Sequence, residues 1–350
     1  MSYDYKAIVP YLLHWFAYNA RILPWRENPV PYYVWVSEIM LQQTRVEAVK
    51  GYFDRFTAAL PDIGALAGAQ EEKLLKLWEG LGYYNRVRNL QKTARLVLEE
   101  YDGEMPADYE QLKKLPGIGE YTAGAIASIA FGIPVPAVDG NVLRVMKRIA
   151  GSYDDITKDS VRKELWQDII GIIPLDRPGD FNQSLMELGA TVCLPNGKPL
   201  CDKCPVMHLC RAFQQEITQL LPVKPEKKAR KKVERTILLL EYDHKIAIRK
   251  RPSKGLLAGL WELPGLEGYV TASELLSLLS GWGIPRADIA DLGRAKHIFT
   301  HVEWHMTGYH IHLDKLPQLP KGEIPLLWAD REEIADRYSI PNAFKFYFVK

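Results

Sequence analysis

In the first two thirds of the chain, apolar residues recur at three- and four-residue spacing. The pattern holds in VSEIMLQQTRVEAVKGYFDRF (36–56), EEKLLKLWEGLGYY (71–84), NLQKTARLVLEEY (89–101) and TAGAIASIAFG (122–132). That period lays one apolar stripe of a helix against a core. Proline and glycine punctuation, as in LPDIG and LPGIG, predicts the turns between these helices. After residue 232 the period changes. ERTILLLEYD (234–243), KIAIRKR (245–251) and WHMTGYHIHLD (304–314) read as strands, and TASELLSLLSGW (271–282) reads as one helical insert. The pattern predicts a multi-domain chain, all-α first and α+β second. Between them lies PVKPEKKARKK (222–232), with six basic residues against one acidic. Its prolines and like charges predict an extended linker. Domains are therefore expected over 1–221 and 233–350.

A length of 350 residues exceeds what one hydrophobic core usually supports, and 47% hydrophobic residues supply apolar side chains for two. Lys6, Arg21 and Arg26 interrupt the early apolar stretches. Neither a signal peptide nor a membrane span is expected, and the location expected is cytoplasmic. A net charge of +2 announces no polyanion partner, so any claim of nucleic-acid binding must rest on local geometry.

All four cysteines, Cys193, Cys201, Cys204 and Cys210, fall in one loop with the spacing C-x7-C-x2-C-x5-C. Four thiolates from one loop suit an iron-sulfur cube or a zinc ion. The long first gap departs from the paired knuckles of zinc sites and favours the larger cluster. A disulfide reading fits poorly with an intracellular chain.

Upstream, LPGIGEYTAGAIASIAFG (115–132) places Gly117 and Gly119 around one apolar residue between helices. Both glycines are expected at positive φ, presenting backbone N–H groups to an anion at a helix start. Then PAVDGNVLRVMKR sets Asp139, with Gly140 and Asn141, before an amphipathic helix. An aspartate there is a helix cap, and capping is compatible with catalysis. Glu38, Gln42 and Arg45 are expected on one face of a continuous helix at i, i+4 and i+7.

Hairpin, aspartate and four-cysteine loop, in this order and at these distances, resemble the helix-hairpin-helix DNA glycosylase superfamily with its endonuclease III-type 4Fe-4S loop. Within it, PWRENPVPYYVWVSEIMLQQTRVEAV and LWEGLGYYNRVRNL are similar to the MutY family of adenine DNA glycosylases. GLLAGLWELPG resembles the start of a Nudix domain, which that family carries at its C-terminus. One departure is the first cysteine gap of seven residues, where the family usually has six; it should bulge the Asn196-Gly197 turn.

The resemblance implies a base-excision-repair enzyme that hydrolyses the N-glycosidic bond of adenine opposite 8-oxoguanine or guanine. Its partner would be duplex DNA containing that mispair, its cofactor a 4Fe-4S cluster on Cys193, Cys201, Cys204 and Cys210, its state a monomer beside the nucleoid. Glu38 would protonate adenine and later activate water, which requires burial to raise its pKa. Asp139 would stabilise the sugar cation, as one of two carboxylates flanking a glycosidic bond. Tyr121 stands where lyase members of the superfamily carry lysine; it forms no imine, so an abasic site should be left. Arg26 and Gln183 would line the adenine pocket. DNA contacts would come from Gln43, Thr44, Tyr83, Gly117, Gly119 and Asn141, with Gln43 and Tyr83 wedged into the stack. Arg86, Arg88, Lys92 and Arg95 suit phosphate binding or a solvated helix face, while Tyr84 suits the core. Phe299, Thr300 and His301 match the family's Phe-Ser-His loop over 8-oxoguanine. Glu274 is the one acid of SELLSLLSGWG, too few for Nudix pyrophosphate hydrolysis. A pyrimidine glycosylase/lyase of the endonuclease III type is disfavoured by Tyr121 and the second domain. A non-catalytic mispair binder is disfavoured by the two carboxylates.

Overall fold

A computed structural model describes residues 3–225, 229–320 and 324–348. The chain forms two compact units, one of Met1–Ala69 with Arg88–Glu226, the other of Gln70–Val87 with Lys227–Lys350. Residues 70–87 thus leave the helical part of the sequence and pack with the C-terminal part. Of the expected linker 222–232, residues 226–228 lie outside the described residues. At its ends, the Val223 carbonyl accepts from Ile156 N–H at 3.3 Å, and Lys231 and Lys232 already belong to a strand.

The first unit is helical. α1 (Pro31–Leu41) opens on a proline, whose fixed φ suits the first helical turn. It is buried nearly all round, from Val34 to Met40, as befits a central helix. The continuous helix expected over 36–56 is broken. α1 ends at Leu41, α2 runs Val46–Ala59, and between them Gln43 is left-handed with φ 59°. Gln42 and Arg45 therefore do not continue the helical face of Glu38. α3 (Glu71–Leu77) belongs to the second unit. α4 (Asn85–Glu100) is followed by the hairpin loop and α5 (Glu120–Phe131). α6 (Gly140–Ala150) and α7 (Pro178–Thr191) complete the elements that matter here. α5 packs on α1, and α7 packs on α5 and α6. Among the described residues, no helix is long and apolar enough to cross a membrane.

The second unit is built on a seven-stranded sheet. Its strands are β1 (Lys231–Tyr242), β2 (Lys245–Lys250), β3 (Trp261–Glu262), β4 (Gly265–Glu267), β5 (Asp288–Ile298), β6 (Val302–His312) and β7 (Leu327–Ala329). The order is β3-β2-β1-β6-β5, with β4 on β1 and β7 on β2. β1 and β6 run parallel at the centre, and the other pairs are antiparallel. Successive residues of β1 feed two cores. Ile237 and Leu239 join Trp304, Met306 and Phe344, whereas Leu238 and Leu240 join Leu275 and Leu279 of α8 (Ala272–Gly281).

Candidate active site

Glu38 sits on α1 among apolar neighbours and is only 6% exposed. Burial of an ionised carboxylate is costly, and it pushes Glu38 up to about 7. The nearby charge of Asp139 raises it further. Arg26 and a hydrogen bond from Tyr121 pull the other way. That bond, from Tyr121 Oη to Glu38 Oε2, measures 2.5 Å. Tyr121 lies in the first turn of α5, and its hydroxyl also meets Met186 Sδ at 3.6 Å. Burial and the carboxylates of Glu38 and Asp139 hold the phenol well above its ordinary value, so it is a donor.

Asp139 caps α6: its Oδ1 accepts from Val142 N–H at 2.7 Å. Its Oδ2 accepts from Asn141 Nδ2, also at 2.7 Å. Burial raises its pKa, and these two donors work against burial by favouring the anion. Asn141 turns its Oδ1 to Arg144 Nη2 at 2.9 Å. Both ends of its carboxamide are thus engaged within the protein, and its position is that of a partner to Asp139. The close approach that makes this turn possible is at Gly189 of α7, where a Cβ would stand 2.7 Å from Asn141 Cβ.

Arg26 donates to Gln183 Oε1 at 2.9 Å, to Glu187 Oε2 at 2.9 Å and to the Arg21 carbonyl at 3.1 Å. Arg21 in turn grips Glu187 through Nε at 2.6 Å. Burial raises the Glu187 carboxyl, but the two guanidinium groups outweigh it and hold the group below its ordinary value.

Of the hairpin glycines, only Gly117 is left-handed, with φ 76°, and a Cβ there would press to 2.8 Å on Asn89 Cβ of α4. Gly119 corrects the expectation of positive φ: it is an extended N-cap with φ −89°. A Cβ on it would meet nothing within 4 Å. No side chain caps α5, so its first-turn amides have no side-chain acceptor. Gln43 is exposed, and Thr44 Oγ1 donates to the Gln42 carbonyl at 3.4 Å.

The structure also brings in residues absent from the sequence reading. Glu187 is one, an acid 1% exposed in an otherwise apolar stretch of α7. Asn182 is another. It accepts from Ala137 N–H at 3.1 Å and donates to Ser128 Oγ at 2.8 Å and the Val135 carbonyl at 2.9 Å, fixing the irregular stretch that leads to Asp139. Arg144 is a third, reaching the carbonyls of Gly189 at 2.8 Å and Cys193 at 3.0 Å. For Glu187 and Arg144 the one available signal was a charge among apolar helix neighbours; Asn182, beside Asp180, Gln183 and Ser184, offered none.

The four cysteines line one pocket with Arg148, and none forms a disulfide. Arg148 Nη1 lies 3.3 Å from Cys193 Sγ and donates to the Leu194 carbonyl at 2.8 Å. Gly197, in the lengthened first gap, is left-handed with φ 73°.

In the second unit, Phe299, Thr300 and His301 form the turn joining β5 to β6. Phe299 packs on Trp304 with centroids 4.9 Å apart, while Thr300 and His301 are exposed. Tyr83 is left-handed with φ 48° and 48% exposed. Its hydroxyl meets Thr300 Oγ1 at 2.5 Å. The turn beneath it is held by Arg86, which donates to the carbonyls of Leu81 and Gly82 and lies over the Trp78 and Tyr83 rings. Arg86 thus belongs to the turn, and Arg95 donates to the Ala67 carbonyl in the first unit. Tyr84 is buried. Glu274 is spent on the capping box of α8 with Thr271. Glu262, the acid of GLLAGLWELPG, is buried between Arg249 and Arg251.

A family description of HhH-GPD superfamily base excision DNA repair protein matches residues 36–169, and one of NUDIX domain matches 235–348. Solved structures titled as a thermostable thymine-DNA glycosylase and a non-covalent endonuclease III–DNA complex superpose with TM-scores of 0.53 and 0.52. They are 30% and 28% identical, cover 60% and 61% of this chain, and are themselves covered to 96% and 98%. The helical unit is thus of the endonuclease III type, and fold and family match together define a base-excision-repair glycosylase with a Nudix domain. Adenine DNA glycosylases of Mus musculus and Homo sapiens are each 37% identical, spanning 98% and 92% of this chain and 78% and 70% of their own lengths. One of Buchnera aphidicola subsp. Schizaphis graminum is 35% identical over 76% of each. The chain belongs to the adenine DNA glycosylase family.

Proposed function

We propose that the protein hydrolyses the N-glycosidic bond of adenine mispaired with 8-oxoguanine or guanine in duplex DNA, leaving an abasic site without cutting the strand. The observation that carries this reading is the buried Glu38, raised to about 7 and hydrogen-bonded by a tyrosine. An acid of that pKa is protonated often enough at neutral pH to give a proton and basic enough to take one back.

With adenine flipped into the pocket, the Glu38 carboxyl donates its proton to N7. The C1′–N9 bond then breaks, its electron pair leaving with the base. Asp139, kept anionic by the Val142 N–H and Asn141, faces the positive charge that develops on the sugar. Water adds to C1′ as the Glu38 carboxylate takes its proton. Gln183, whose carboxamide oxygen is committed to Arg26, offers its N–H groups to the base. Tyr121 cannot form an imine with the sugar, which supports hydrolysis without strand scission.

Gly117 and the uncapped start of α5 suit a DNA phosphate. The left-handed backbones of Gln43 and Tyr83 hold side chains out at the cost of local strain, a pattern expected of residues that enter a base stack. Thr300 and His301 would read the base opposite adenine. Cys193, Cys201, Cys204 and Cys210 would hold a 4Fe-4S cluster, because four thiolates on one loop with a long first gap suit the larger group and Arg148 supplies a cation beside them. Bound there, the cluster would tie the segments of the loop to one another beside Arg148 of α6.

The test is incubation with duplexes that differ only in the base opposite adenine, scoring free adenine and strand breaks separately. Adenine release opposite 8-oxoguanine and guanine, with breaks only after alkali, is expected. Release of a pyrimidine, or direct strand cleavage, would overturn the proposal.

A further inference from the structure

Two imidazoles and a carboxylate converge at one end of the second unit's sheet, and the chemistry described above uses none of them. His310 and His312 stand two residues apart on β6, so the strand period puts both on one face. β1 runs beside it in parallel register, with Glu241 opposite His312 and Leu239 opposite His310. Glu241 thereby projects from that same face. His310 Nε2 lies 2.8 Å from Glu241 Oε2, and the two imidazole centroids are 4.1 Å apart. One ligand atom from each of the three residues lies within 4.8 Å of the others. On the far side of β6, Ala290 is the register partner of His310 and Asp288 that of His312. A small side chain and a second carboxylate therefore flank the histidines. A hydrogen bond accounts for His310 with Glu241; it leaves the close second imidazole without a reason.

We propose that Glu241, His310 and His312 bind a divalent cation of the zinc, copper and nickel class at the C-terminal ends of β1 and β6. Imidazole nitrogen suits these ions, whereas magnesium and calcium call for oxygen ligands throughout. Three protein ligands leave the remaining coordination to water, and the exposed His312 gives the ion a route in. The ion would pin the two central strands together and stabilise the unit by mass action.

The test uses the whole protein with its cysteine site loaded, freed of loose metal by a mild chelator and titrated calorimetrically with zinc chloride. The wild-type protein should take up one equivalent that His312→Ala and His310→Ala both lose, with iron content unchanged. Cupric ion in the same site should show nitrogen hyperfine splitting from two imidazoles in the wild type and from one in His312→Ala. Zinc should raise the melting temperature of the wild type and leave that of His312→Ala where it was. His312 is exposed, so this variant decides the matter should His310→Ala fail to fold. Identical zinc titrations of wild type and His312→Ala, or no uptake by either, would overturn the proposal.

Discussion

At the scale of the residue, the carboxyl proposed to carry most of the chemistry should also leave a signature in stability. Glu38 has an ordinary value of 4.5 and rises to about 7 in the fold. Below 4.5 it is protonated whether the chain is folded or not, and above 7 it is ionised in both. Between those values the folded state binds the extra proton, so stability falls as pH rises, by about 3 kcal/mol in all. Glu38→Gln removes that slope. Its melting temperature should match or trail the wild type near pH 4.5 and exceed it near pH 8; a gap that does not widen with pH would contradict the burial argument. Tyr121 acts in the opposite sense, because its hydrogen bond favours the Glu38 anion. Tyr121→Phe should move the alkaline limb of the adenine-release profile to higher pH, and a shift to lower pH would reverse the assigned sign.

At the scale of the element, α6 joins the site to the cysteine loop, capped by Asp139 at one end and carrying Arg144 and Arg148 toward Cys193. The approach to Asp139 hangs on Asn182, which makes three buried hydrogen bonds. Asn182→Ala should cost on the order of 3 kcal/mol in urea denaturation and lower adenine release as the turn drifts; loss of stability with full activity would show that the turn is held by other means. The helices with strong three-four periodicity, the central strands and α8 were legible because burial wrote their period. The Leu41 break was not, since the apolar rhythm continues from α1 into α2 while the backbone turns at Gln43. β5 also escaped notice: only Leu292 of its eleven residues is buried, as expected of a strand at the edge of a sheet. Within the site, Glu38, Asp139 and the cysteines stood out through resemblance and spacing. Glu187 offered only a lone charge among apolar neighbours and Asn182 no local signal, because their partners lie on other elements.

At the scale of the whole molecule, the chain divides into two units whose boundary the linear sequence obscures. Residues 70–87 read as part of a helical domain, yet Lys76 donates to the Tyr338 carbonyl at 3.1 Å and Tyr83 meets Thr300 across 217 residues of sequence. No periodicity reports such pairing. If the β5–β6 turn reads the base opposite adenine, Thr300→Ala with His301→Ala should reduce the preference for 8-oxoguanine over guanine by about tenfold or more, since one lost base contact is worth roughly 1 to 3 kcal/mol. Single-turnover release from bound substrate should change little. Unaltered preference in competition between the two duplexes would remove the turn from recognition. The most direct test of the central claim, that Glu38 is the proton donor, is single-turnover adenine release by Glu38→Gln from a duplex already bound and carrying adenine opposite 8-oxoguanine. Full duplex binding with release lowered by about a hundredfold or more is expected, and release within tenfold of wild type would contradict a donor role for Glu38.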